Sequence, residues 1–140
     1  MNELKTFTLD EANKLLPQLT SLIGQLQKKR ELLLNLEVEI DALELVSETP
    51  KAKTKEQNPV VAHKVEEYTA AVNSFYQGVD EIHATGCFLK DMDLGLIDFY
   101  SVYQGKVVYL CWKMGETQVS HWHEIGQGYT SRQPILKPHS

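Results

Sequence analysis

PVVAHKVEEYTAAVNSFYQGVDEIHATG (residues 59–86) and LIDFYSVYQGKVVYLCWK (residues 96–113) decide the fold, because the rhythm of burial changes between them. In the first stretch Val61, Val65, Tyr68, Val72, Phe75, Val79 and Ile82 recur at alternating steps of four and three, the spacing of one helix face. Asn58 ahead of Pro59 supplies an N-cap and a first-turn proline, and Gly86 suits a left-handed stop. In the second stretch β-branched and aromatic residues crowd into two short runs, joined at Gln104-Gly105 by a tight hairpin.

Working outward, the N-terminal side predicts another helix. Thr8 and Glu11 fit a capping box, with Phe7 and Ala12 at the ends of a weak hydrophobic staple. Ala12, Leu16, Leu19, Ile23, Leu26 and Leu33 form a heptad-like stripe, with Arg30 in the skipped place, and Leu36, Ile40 and Leu43 resume it one residue out of phase. Pro17 removes one backbone bond and is expected to bend this helix rather than end it. Ser47–Asn58 is polar, aperiodic and holds Pro50, so it reads as a mobile connection. Two helices with matching stripes should fold back as an antiparallel pair.

Beyond Gly86 the expected strands are Leu96–Val102, Val107–Lys113 and Val119–Glu124, with a turn around Asp91–Gly95 and an irregular C-terminal stretch. The fold expected is therefore α+β: one domain over residues 1–140, a coiled-coil-like helical hairpin (8–86, with its connection at 47–58) packed on a small antiparallel sheet of about three strands (87–140). A two-residue loop at Gln104-Gly105 pairs Tyr103 with Lys106 and Phe99 with Leu110. An even next loop sets Leu110 opposite His121, so that Ile97, Phe99, Leu110, Trp112, His121 and His123 share one face and Asp98, Tyr100, Tyr109, Cys111, Trp122 and Glu124 the other. An odd loop brings Cys111 beside His121. The sequence leaves that parity open.

Composition narrows the function classes. The 140 residues are 42% hydrophobic and 24% charged, which supports one packed core. A net charge of -5 disfavours nucleic acid as a partner. There is no secretory signal and no membrane-length apolar run, and two cysteines are too few for a disulfide framework. The expectation from these features is a cytoplasmic chain with free thiols.

His121 and His123 stand at i and i+2, a spacing that points both to one side of a strand. With Cys111 as third ligand they form a candidate site for a divalent transition metal such as zinc. The plainer account is a half-buried pair hydrogen-bonded at a sheet edge. Asp98 and Glu124 are candidate paired carboxylates. Asp98, Tyr109, Trp122, Glu124 and Arg132 together are candidate contacts for a small anionic ligand, Arg132 supplying a fork; a surface ion pair from Arg132 to Glu124 or Asp98 is the bland alternative. Asp91-Met92-Asp93 lacks the later ligands of a calcium loop and reads as an Asx turn. Cys87 and Cys111 read as buried, inert thiols.

FTLDEANKLLPQL (7–19), GCFLKDMDLGLIDF (86–99) and YLCWKMGE with HWHEIGQGYTSRQP (109–116 and 121–134) resemble a bacterial family known as domain of unknown function 2203. The resemblance covers nearly the whole chain except Ser47–Asn58. It implies a shared fold and a bacterial origin, and it carries over no catalytic role, substrate or cofactor. The function expected is a non-enzymatic interaction or scaffold module, acting as a homodimer or with a protein partner. The alternatives are a small metal-binding protein or metal-dependent enzyme centred on His121 and His123, and a binder of an anionic organic ligand.

Overall fold

The computed structural model describes residues 5–47 and 58–136. Two long helices, α1 (Leu9–Ser47) and α2 (Pro59–Ala84), precede five strands: β1 (Phe88–Asp91), β2 (Leu96–Tyr103), β3 (Lys106–Lys113), β4 (His121–Glu124) and β5 (Gln133–Pro134). The connection expected between the helices lies outside the described residues, as does the chain beyond Leu136. The chain divides into two compact units: residues up to Gly24 together with those from Val79 onward, and Gln25–Gly78. We call them the sheet unit and the hairpin unit.

Both helix starts form as their caps dictate. Thr8 N–H donates to Glu11 Oε1 at 2.8 Å, and Glu11 N–H donates back to Thr8 Oγ1 at 3.1 Å, a reciprocal box. Asn58 Oδ1 accepts from the N–H groups of Val60 and Val61. α1 continues through Pro17. Gly86, at φ +100°, turns the chain out of α2 in a conformation that side-chain-bearing residues resist.

In the hairpin unit the two helices meet along Leu26, Leu36 and Ile40 on α1 and Val61 and Ala71 on α2, all buried. Val65, Tyr68, Val72 and Phe75, expected as core, are only half-buried. The reason is steric: α1 comes close to α2 at Gly78, which has no side chain to hold it off, and the small Ala71 is buried where these larger residues are not. A Cβ on Gly78 would lie 2.9 Å from Leu26 Cδ1. Lys64 Nζ to Glu39 Oε2 (2.9 Å), Lys29 Nζ to the Ser74 carbonyl and Tyr68 Oη to Glu37 Oε2 (both 3.3 Å) fasten the rims.

In the sheet unit the strands form an antiparallel meander in the order β1-β2-β3-β4-β5. Five strands replace the expected three. β1 and β5 were hidden because four and two residues are too short to show alternation. A proline in β5 argues against a strand anywhere but at an edge, which is where it lies. The β2–β3 register follows the hairpin as expected, with Tyr103 opposite Lys106 and Phe99 opposite Leu110, and Gln104 and Gly105 both have positive φ, as a tight primed turn demands.

The next connection settles the open parity on the odd side: Cys111 faces His121 and Leu110 faces Trp122. Glu116 builds that loop, accepting the Lys113 N–H on its carboxylate and the Trp112 indole N–H on its carbonyl. Asn13 Oδ1 then accepts the Val119 N–H at 2.7 Å, tying the strand entry to α1.

The core side of the sheet carries Ile97, Phe99, Val108, Leu110, Trp112 and Trp122, with Phe7, Leu19, Ile23 and Ile82 buried in the same unit. Phe7 meets Phe99 edge-on, ring centroids 5.2 Å apart. The opposite side carries Phe88, Asp98, Tyr100, Tyr109, Cys111, His121 and His123. Relative to the even-loop arrangement, the two histidines and the Trp122–Glu124 pair exchange faces.

Candidate metal centre

Asp98, Cys111 and His123 come from three adjacent strands and converge on this second face. The backbone pairing sets Asp98 directly across from Cys111 and Tyr109 directly across from His123, so His123 reaches diagonally over β3. Its Nε2 lies 3.2 and 3.1 Å from the two carboxylate oxygens of Asp98. The three residues are 4%, 1% and 1% exposed. One donor atom from each lies within 4.8 Å of the others.

The hydrogen-bond chemistry fixes the imidazole. His123 Nδ1 is 3.0 Å from the Glu124 carbonyl oxygen, which can only accept, so Nδ1 carries a proton. Nε2 is thereby the nitrogen turned toward Asp98 and Cys111. One further proton must lie between Nε2 and Asp98, because two lone-pair acceptors would repel. Burial raises the Asp98 carboxyl above its ordinary value, while His123 and Lys90 pull the other way. Burial, reinforced by Asp98, pushes the Cys111 thiol up to about 12, against the opposing effect of Arg132. In this state Cys111 is a protonated thiol rather than a nucleophilic thiolate.

Around this trio stands a polar frame. Arg132 donates from Nη1 and Nη2 to the two oxygens of Glu116, at 3.2 and 2.6 Å. Burial alone would raise Glu116, but the guanidinium and the Lys113 N–H hold it below its ordinary value. Arg132 also stacks over Tyr129, 4.4 Å from the ring centroid, in a short 3-10 turn (Tyr129–Ser131). On the other flank Tyr100 and Tyr109 stack at 4.8 Å, and Phe88 meets both edge-on. Burial and the Tyr100 contact push Tyr109 up to about 12.

The sequence-derived candidates are thus partly gathered and partly scattered. Cys111 and His123 meet. His121 shares their face but lies outside the trio; its Nδ1 pairs with Ser120 Oγ at 3.1 Å. Asp98 takes the place given to His121. Glu124 and Trp122 lie on the opposite side: Glu124 pairs with Lys106, and Trp122 packs against Tyr103. The arginine fork closes on Glu116, not on Glu124 or Asp98. Asp91 makes the expected Asx turn, accepting the Leu94 N–H at 3.0 Å. Cys87 is buried and free, as is Cys111.

Two roles escaped the sequence reading. The Gln104-Gly105 turn already sets Asp98 on the face of Cys111, as found; what the sequence left unread is Asp98 as the third donor beside Cys111 and His123. Glu116 as partner of Arg132 had no sequence signal, because it sits in a loop whose conformation it helps create.

An α+β protein, with a helical pair followed by an antiparallel meander holding a buried carboxylate–thiol–imidazole cluster, is the class these features define. The chain belongs to the family described as an uncharacterized conserved protein (DUF2203), whose model matches residues 5–135. No curated protein and no solved structure matches the chain. Among the described residues, no helix is long and apolar enough to cross a membrane.

Proposed function

We propose that this protein binds one divalent transition metal ion, of the zinc type, through Asp98, Cys111 and His123. The observation that carries the reading is the convergence of an oxygen, a sulfur and a nitrogen donor within 4.8 Å, all buried. Burying a carboxylate beside an imidazole costs several kcal/mol, and apolar replacements are often neutral or stabilising. A fold that needed only stability would gain little from this trio. Thiolate with imidazole favours zinc-like ions over magnesium or calcium. The Nδ1–H donation to a carbonyl is the outer support that metal-bound histidines commonly have. Three protein donors leave a position for water or a substrate, the composition of zinc sites that do chemistry. On this basis metal binding ranks above a purely structural or anion-binding role for the second face.

Elemental analysis of protein purified without a histidine tag tests it. About one equivalent of metal is expected, retained in His121→Ala and lost in His123→Ala and Cys111→Ser. Cobalt loading should give a thiolate charge-transfer band that Cys111→Ser abolishes. Zinc at about a hundred times its Kd should add about 2.7 kcal/mol of stability. Protein that is metal-free as isolated and takes up neither zinc nor cobalt on dialysis would falsify the reading.

A further inference from the structure

Asp98, Cys111 and His123 lie on the side of the sheet opposite the core, yet all three are buried. Their cover comes from two directions. On one flank it is aromatic: Tyr100 stacks on Tyr109, and the Lys90 ammonium stands 5.0 Å over the Tyr109 ring. On the Cys111 flank it is the chain itself. After β4 the segment Ile125–Arg132 swings out and returns as β5. It sets Arg132 beside the Cys111 thiol, with the Tyr129 ring against the guanidinium.

This segment is held unlike the rest of the sheet unit. From Ile125 to Leu136 no residue is buried; Tyr129, Arg132 and Ile135 are half-buried and the others exposed. Lifting it uncovers little apolar surface, and stretches of that kind open locally while the body stays folded. Its far end is fixed by β5, which pairs with His121 and Trp122, and by the Ile135 N–H, which donates to the Ser120 carbonyl at 2.9 Å. Gly126 and Gly128 loosen the near end. Between those ends the strongest tie to the body is the fork from Arg132 to both oxygens of Glu116, a charge-assisted bidentate pair. The Lys113 ammonium, 5.9 Å from the centre of the Tyr129 ring, adds a weaker one.

We propose that Ile125–Arg132 is a strap that opens to let a metal ion reach Asp98, Cys111 and His123, with the Arg132–Glu116 fork as its latch. As a gate for metal this rests on the reading of the trio as a metal centre, so the first measurement needs no metal. In metal-free Cys87→Ser protein Cys111 is the single thiol, and its rate of reaction with a chromogenic disulfide reagent reads how often the strap is open. Well below the unfolding transition that rate should hardly change with urea, because a local opening exposes little surface. Glu116→Gln keeps an acceptor for the Lys113 N–H, and Arg132→Lys keeps the positive charge. Each should speed labelling about tenfold, the effect of losing a charged hydrogen bond, with the urea midpoint nearly unchanged. The double variant should label no faster than the faster single one, since both break the same latch. In zinc-loaded protein the same variants should surrender the ion to a chelator faster by a similar factor while still binding one equivalent. Labelling that climbs with urea as steeply as global unfolding overturns the proposal, as do latch variants that label at the wild-type rate. A lack of zinc uptake would count against the metal reading alone, with the labelling rates still deciding the strap.

Discussion

The sheet unit and the hairpin unit handle the same problem, hiding apolar side chains, with different success. The sheet offers a broad side, and Ile97, Phe99, Leu110 and Trp112 on it are all but inaccessible. Two helices touch along a line. Among the described residues of the hairpin unit, the buried apolar side chains are Leu26, Leu36, Ile40, Val61 and Ala71. A layer closes a core where a seam cannot, so the hairpin's outward residues are available for other contacts.

The largest expected effect sets the units directly against each other. Phe99→Ala should cost ~3–5 kcal/mol, the price of a large cavity in a closed core. Phe75→Ala, at a half-buried seam position, should cost ~1 kcal/mol. Both tryptophans belong to the sheet unit, so urea unfolding followed by fluorescence reports the first and far-ultraviolet ellipticity the second. Equal losses would erase the contrast.

Next in size is an alkaline effect confined to the sheet unit. The Cys111 thiol is pushed up to about 12 from an ordinary value of 9.0, so the unfolded chain releases that proton first. Stability contributed below the ordinary value is therefore lost as pH rises from there through the folded value. In chelator-treated protein the unfolding free energy should fall over that window, and Cys111→Ser should flatten the fall. Matching slopes for wild type and variant would show that the thiol is not held as described.

The smallest effect sharpens the comparison within one residue type. Gly24→Ala meets nothing within 4 Å and should stabilise α1 by about 1 kcal/mol through helix propensity alone. Gly78→Ala has the same propensity gain but must move Leu26 aside, so its melting temperature should rise less. A larger gain at Gly78 than at Gly24 would mean that the seam is looser than its packing implies.

Periodicity and caps made both helices legible, with Thr8–Glu11 and Asn58 marking their starts. The β2–β3 register was equally legible, because a Gln-Gly turn of two residues permits one pairing. The site was half legible. Cys111 and His123 stood out by chemistry, but whether they met depended on the parity of a seven-residue loop (Met114–Ser120). That loop is shaped by a long-range bond from Val119 to Asn13 and by Glu116 bracing Arg132. No local pattern encodes contacts of that range. The half-buried Val65, Val72 and Phe75 teach a similar lesson: spacing identifies the apolar side of a helix, while side-chain size decides where two helices come nearest.

The two margins of the meander have a consequence for how copies of this chain meet. Pro134 at one margin has no amide hydrogen to offer an incoming strand, and the irregular pairing between Leu89 and Asp91 skews the other. Both are devices by which natural sheets discourage growth by strand addition. Crowded copies are thus steered away from fibre-like stacking, and any orderly assembly has to be built from side chains rather than from backbone ladders.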